Sequence, residues 1–376
     1  MKWFLGMATV LGLAAIVLGP RGQIWGQTSR VEDKSLRAAA GKRVQIGVAV
    51  NTGLLGDATY TGLIKREFGS VTAENCMKPA SILKAPGEYD FAETDRFIEF
   101  AERNGIEVIG HTLVWHSQSP SFLFASADGK PLPRDEALRN MREYITKVVG
   151  RYRGRINGWD VVNEAVADGG GLRQTPALRA IGEDYLLKAF QYAAEADPKA
   201  ELYYNDYNIE LDYKRASGLE LVRKLREAGA RIDAVGIQGH YLLTSDMAEI
   251  QRGVKAYTDA GFKVMITELD VDVLPRAGQG GADVSALERT GMNPYVEGLP
   301  NDKQAELAAK YGQLFDFFLA QPNLTRITFW GATDAHTWLN GFPVRGRTNH
   351  PLLFDRKYQP KPAYDRVWQS LTRASG

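Results

Sequence analysis

A single cysteine, Cys76, in 376 residues excludes an intrachain disulfide framework and any thiolate-rich zinc or iron–sulfur site. An excess of one charge is missing too: 46 Lys and Arg face 45 Asp and Glu, a formal net charge of +1. Proteins that coat nucleic acid or anionic membranes usually need a basic excess, so neither class fits. Beyond residues 3–18, no apolar run is long enough to approach a bilayer span. No repeat with a period of 20–50 residues recurs. No glycine-rich fingerprint follows the first strand candidate, which counts against a doubly wound nucleotide-binding sheet. No break in composition marks a second domain.

The hydrophobic content of 44% rules out wholesale disorder. Lys2 precedes the apolar run 3–18, which is short of a spanning helix and near the upper limit of a signal core. Residues 1–26 therefore read as a signal peptide, with an uncleaved N-terminal membrane anchor as the alternative. Arg21 follows closely, and no clear A-x-A cleavage site is evident. The expected location is secreted or periplasmic, or anchored and facing outside the cytoplasm. Any membrane contact would run only through residues 3–18. Loss of residues 1–26 removes Lys2 and Arg21, so the mature balance is +1 − 2 = −1. Without disulfides, an exported chain must rely on a large core.

From residue 45 onward, short apolar strands alternate with longer amphipathic stretches. Eight strands are expected, at 44–51, 70–75, 107–115, 156–165, 201–206, 232–240, 263–271 and 327–334. After Pro133, the residues Leu138, Met141, Ile145, Val148 and Tyr152 recur at spacings of three and four, the period of a helix. Further helices are expected near 95–104, 180–195, 214–228, 246–260 and 303–320. Eight such units predict a (β/α)8 TIM barrel, a single catalytic domain over residues 27–376. Residues 272–302, rich in Gly, Pro and Ala, read as a long loop after the seventh strand. That places them at the C-terminal rim, where barrel active sites sit.

The strand ends are loaded with polar residues. Glu74 and Asn75 end the second strand. His111 and Trp115 lie on the third, with His116 after it. Asp160, Asn163 and Glu164 end the fourth, and Asn205, Asp206, Tyr207 and Asn208 the fifth. Gln238 and His240 close the sixth, Glu268 and Asp270 the seventh, and Trp330 and Asp334 the eighth, with Trp338 just beyond. So many buried polar groups are costly unless they serve each other or a ligand. Amides and carboxylates suit sugar hydroxyls, and Trp115, Trp330 and Trp338 offer flat faces for pyranose rings. Glu164 and Glu268 stand on strands four and seven, across the mouth. Such a pair meets the needs of glycoside hydrolysis, where one carboxyl donates a proton and the other attacks or activates water.

These residues bring a family with them. Thr72-Ala73-Glu74-Asn75 with Met77-Lys78, the run His111 to Trp115, Trp159-Asp160-Val161-Val162-Asn163-Glu164, Thr267-Glu268-Leu269-Asp270, and Trp330-Gly331 with Asp334 and Trp338 resemble glycoside hydrolase family 10, the endo-β-1,4-xylanases. The resemblance covers about residues 45–370. It implies a retaining enzyme that cleaves internal β-1,4 bonds of xylan by double displacement, with Glu164 as acid/base and Glu268 as nucleophile. Asn163, His240 and Asp270 would support them, His240 holding Glu268 ionised and Asp270 holding His240. Glu74, Asn75, Lys78, His111 and Trp115 would bind the two sugars before the cleaved bond, with Gln238 near the nucleophile. Trp330 and Trp338 would wall the same side, and Trp338 would disfavour a hydroxymethyl group. Tyr207, Asn208, Arg276 and Tyr295 would line the leaving-group side. Pro79 stands where many relatives carry an aromatic residue.

The implied partners are xylan and xylo-oligosaccharides. No cofactor, metal, nucleic acid or obligate protein partner is expected. His111 and His116 would face opposite sides of one strand, which is wrong for a shared metal. Cys76 reads as a buried, inert thiol. Asn323-Leu324-Thr325 matches a glycosylation sequon, relevant only in a eukaryotic secretory host. The alternatives are a related barrel hydrolase acting on β-1,4-glucan and a catalytically silent xylan-binding protein.

Overall fold

Strands covered on both faces must be apolar nearly throughout. The chain meets this condition eight times, and its computed structural model, which describes residues 34–274, 293–343 and 345–375, turns each run into a parallel strand. The strands are β1 Gln45–Val50, β2 Ser70–Ala73, β3 Glu107–Trp115 and β4 Gly158–Asn163. They continue as β5 Glu201–Asp206, β6 Ala234–Ile237, β7 Val264–Asp272 and β8 Leu324–Phe329. Each pairs with its neighbour in chain order, and β8 closes on β1, with Gln45 opposite Arg326 and Val48 opposite Phe329. Closure leaves no barrel edge exposed.

A helix follows every strand: α1 Ala58–Glu67, α2 Ala92–Arg103, α3 Arg134–Arg151 and α4 Tyr185–Ala196. The second half adds α5 Asp212–Glu227, α6 Met247–Asp259, α7 Asn301–Ala320 and α8 Pro362–Ser375. In α3 the buried set Ala137, Met141, Tyr144, Ile145 and Val148 repeats at the helical period and packs on the strands. A separate apolar layer of Ile109, Tyr203, Ala234 and Met265, drawn from four strands, fills the barrel interior. Gly158 makes space for it, since a Cβ there would lie 2.2 Å from the Tyr203 hydroxyl oxygen.

Four expectations change. The eighth strand begins at Leu324 and ends at Phe329, and Asp334 falls in a short 3-10 turn beyond it. Arg326, a buried charge, breaks the apolar pattern that would have marked the true start. Asp334 does not join the mouth: it pairs with Lys361 Nζ at 2.9 Å and accepts from the Leu352 amide at 2.8 Å. The stretch 232–240 splits at Gly239, whose φ is +79°, and His240–Leu242 forms its own short strand against Asp270–Asp272. Helices α1 and α8 and the hairpin Leu83–Ala85/Glu88–Tyr89 add to the expected elements. Residues 1–26, with the leader reading, and Arg276 lie outside the described residues, as does most of the loop 272–302. Among the described residues no helix is long and apolar enough to cross a membrane.

Candidate active site

Parallel strands all end on one face, so every polar strand end is delivered to one mouth. Register then decides who meets whom. Trp115 on β3 pairs with Asn163 on β4, and Asn163 pairs with Asn205 on β5, which sets three polar side chains in a row. Glu164 follows as the first residue past β4, with a left-handed φ of +58°.

The Glu164 carboxylate is held from two sides. Trp115 Nε1 donates to Oε2 at 2.8 Å, and Gln238 Nε2 donates to Oε1 at 2.9 Å. The Asn163 amide lies 2.9 Å from that of Asn205, and the Trp115 indole N–H lies 3.2 Å from it. His116 Nδ1 stands 3.9 Å from Glu164 Oε2. Burial, reinforced by nearby Arg173, lowers the His116 pKa and favours the neutral imidazole.

Glu268, on β7, is buried. Asn205 Nδ2 donates to its Oε1 at 2.9 Å, and His240 Nε2 lies 3.2 Å from its Oε2. Thr267 Oγ1 donates to Asn205 Oδ1 at 2.6 Å, which fixes the amide so that its N–H faces Glu268. Behind His240, Asp270 Oδ2 sits 3.1 Å from Nδ1 and also accepts from Trp338 Nε1 at 2.8 Å. Burial alone would raise the Glu268 pKa. The His240 hydrogen bond, the charges of His111 and His240 and the Asn205 amide outweigh it, so the carboxyl is held below its ordinary value. Burial likewise opposes charge on His240, but Asp270 and Glu268 raise it to about 10. The result is an ionised carboxylate, an imidazolium and a second carboxylate in line.

The expected glycone group assembles around this pair. His111 Nδ1 lies 2.9 Å from Asp160 Oδ2, its strand-paired neighbour, and its ring meets Trp330 edge-on at 5.3 Å. Lys78 Nζ donates to Asn75 Oδ1 at 3.0 Å and to Gln118 Oε1 at 2.8 Å, and lies 5.1 Å from the centre of the Trp115 ring. Burial lowers the Lys78 pKa against the pull of Glu268, Glu74 and Glu164. Burial raises Glu74 against Lys78. Trp338 packs 4.9 Å from His240. Cys76 is buried, and burial pushes its thiol up to about 12, as an inert thiol requires.

Of the expected leaving-group set, Tyr207 and Asn208 follow β5. The Tyr207 hydroxyl oxygen accepts from Arg173 at 2.6 Å, and Asn208 Nδ2 donates to the Tyr213 hydroxyl at 2.8 Å. The Tyr295 backbone carbonyl lies 2.9 Å from His350 Nε2.

Several neighbours of the carboxylates have roles that sequence reasoning missed. Asn205 and Asp160 stood out only as polar strand-end residues. Asn205 in fact touches both Asn163 and Glu268, and strand alternation from the interior Tyr203 would have pointed to it. Thr267 was visible only as a member of the Glu268 motif, while Gln118 and Arg173 gave no local signal: the Lys78 partner of Gln118 is distant in the chain, and the Arg173 contacts depend on how the loop after β4 folds back.

Fold and site together define the class: a (β/α)8-barrel glycoside hydrolase with a carboxylate pair at the C-terminal mouth. Comparison narrows this to one family. The chain belongs to glycosyl hydrolase family 10, whose model matches residues 35–370. It is 41% identical to endo-1,4-beta-xylanase A of Xylanibacter ruminicola over 340 residues, covering 89% of this chain and 92% of that one. It is 40% identical to endo-1,4-beta-xylanase B of Paenibacillus barcinonensis, covering 89% and 98%. A GH10 endoxylanase retrieved from sugarcane soil metagenome superposes with a TM-score of 0.83 at 39% identity, over 90% of this chain and 99% of that one.

Proposed function

We propose that this chain is a retaining endo-1,4-β-xylanase acting on xylan and xylo-oligosaccharides, with Glu268 as nucleophile and Glu164 as acid/base. Its family membership and its endo-1,4-β-xylanase relatives support the activity. One observation carries the mechanism: the buried Glu268 carboxylate accepts from Asn205 Nδ2 at 2.9 Å and lies 3.2 Å from His240 Nε2, partners that hold it ionised as a nucleophile must be. A retaining pair requires the Glu164 and Glu268 carboxyls about 5–5.5 Å apart, against roughly 6.5–9.5 Å for an inverting pair.

The proposed steps are those of double displacement. Glu268 attacks the anomeric carbon while Glu164 gives its proton to the leaving oxygen, so one C–O bond forms as the glycosidic bond breaks. The nucleophile's charge is consumed in the covalent intermediate. Glu164, now ionised, takes a proton from water, whose oxygen then displaces Glu268 and restores the β configuration. In this reading Asn163, beside Glu164, holds the sugar 2-hydroxyl, a contact that strengthens in the transition state.

Time-resolved product analysis on β-1,4-xylan tests this. Wild type should release xylo-oligosaccharides whose first-formed anomer is β, and Glu268→Ala should abolish release. An α anomer formed first would sink the retaining reading. Intact xylan alongside cleaved carboxymethylcellulose would replace xylan by glucan.

A further inference from the structure

Arg173 lies on the loop after β4, nine residues beyond Glu164 and outside the carboxylate group. It grips the segment that carries Glu164 at three successive carbonyls. Its Nε donates to Glu164 O at 3.0 Å, its backbone N–H to Ala165 O at 2.7 Å, and its Nη2 to Val166 O at 3.1 Å. The same Nη2 donates to the Tyr207 hydroxyl at 2.6 Å, on the expected leaving-group side. The segment needs such a grip. Glu164 adopts φ +58°, a conformation that costs free energy for a residue with a side chain and persists only where its surroundings impose it. On the other flank, the Glu164 N–H donates to Asn205 O at 2.9 Å.

We propose that Arg173 is a positioning residue that aims the Glu164 carboxyl at the leaving oxygen and couples that aim to Tyr207. The proposal rests on the reading of Glu164 as acid/base. A planar guanidinium can reach two carbonyls and a phenol at once, while a lysine ammonium is a single point of charge and cannot reproduce the fork. Loss of the fork lets the backbone at Glu164 relax, and a small misplacement of a proton donor lowers the rate steeply. The damage should therefore depend on how much the leaving group needs a proton.

The test compares kcat/KM on phenyl β-xylobioside, a poor leaving group, with that on dinitrophenyl β-xylobioside, which departs unaided. Wild type, Glu164→Ala, Arg173→Ala and Arg173→Lys are measured, with circular dichroism melts to establish folding. Glu164→Ala should lose far more on the phenyl than on the dinitrophenyl substrate. Arg173→Lys should show the same pattern in weaker form, about tenfold or more on phenyl with little change on dinitrophenyl, and Arg173→Ala should exceed it. If Arg173→Lys loses equally on both substrates, or behaves as wild type, the positioning role is wrong. If Glu164→Ala itself shows no leaving-group dependence, the acid/base reading fails first. The two failures are thus distinguishable. Should Arg173→Ala not fold, the lysine variant alone decides.

Discussion

Glu268 stays charged inside a buried site only because its partners outweigh its lost hydration. His240 is the central partner, and its own charge depends on Asp270 behind it. Replacing His240 by Asn removes both a hydrogen bond and a positive charge from the nucleophile. The Glu268 pKa should then rise, and the acid limb of kcat/KM should move to higher pH by about one unit or more. A pH–rate profile on an aryl xylobioside reads this directly, and an unmoved acid limb would refute the assignment. The linkage to stability has a definite sign. A His whose folded pKa is raised to about 10 contributes stability in full below its ordinary value near 6.5, and that contribution fades as pH climbs through 10.

At the scale of elements, the site depends on close approaches that only glycine permits. Gly253 sits in α6 where the helix crosses the loop after β5, the loop that carries Tyr207 and Asn208. A Cβ at this position would stand 1.9 Å from the Glu210 carbonyl oxygen, a backbone atom that cannot swing away. Gly253→Ala should therefore push the helix off the barrel. Overpacking of this kind costs about 1–3 kcal/mol, toward the upper end where backbone must move. Urea unfolding checks it, and an unchanged midpoint would show that the loop yields freely. Because the same loop carries Tyr207, activity on xylan should fall with stability.

For the molecule as a whole, buried charge gives the fold a pH dependence separate from catalysis. Glu210, fully buried, has its pKa raised from 4.5 to about 7, chiefly by burial, against the pull of the Tyr241 hydroxyl and of Lys214. An acid whose pKa is raised prefers to be protonated in the folded state. Its contribution to stability is therefore complete below about pH 4.5 and is lost as pH rises through 7. Glu210→Gln keeps the shape without the ionisation. The variant should gain on wild type by about 3 kcal/mol between about pH 4.5 and 7.5, since each pH unit separating the folded and unfolded pKa values is worth about 1.36 kcal/mol. Urea midpoints across that range measure the gap. A constant difference would mean that Glu210 titrates alike in both states.

The sequence by itself determined the barrel, because eight apolar strands separated by amphipathic helices carry their periodicity locally. It also determined the strand-end residues, because polar groups at the ends of buried strands stand out against their neighbours. Tyr207, His111 and the pair Glu164 and Glu268 were visible in that way. Only the tertiary structure decided that Asn205 reaches Glu268, that Arg173 holds three carbonyls beside Glu164, and that Asp334 serves Lys361 rather than the mouth. Arg326 hid the start of β8 for a related reason: a charge inside a closed barrel looks, in one dimension, like the end of a strand. Local pattern records which face of an element is buried. For Asn205 and Asp334, partner choice depends on register and closure between segments far apart in the chain, and no short window of sequence contains both partners; for Arg173, only nine residues from Glu164, it depends on how the loop folds back, which carries no periodic pattern.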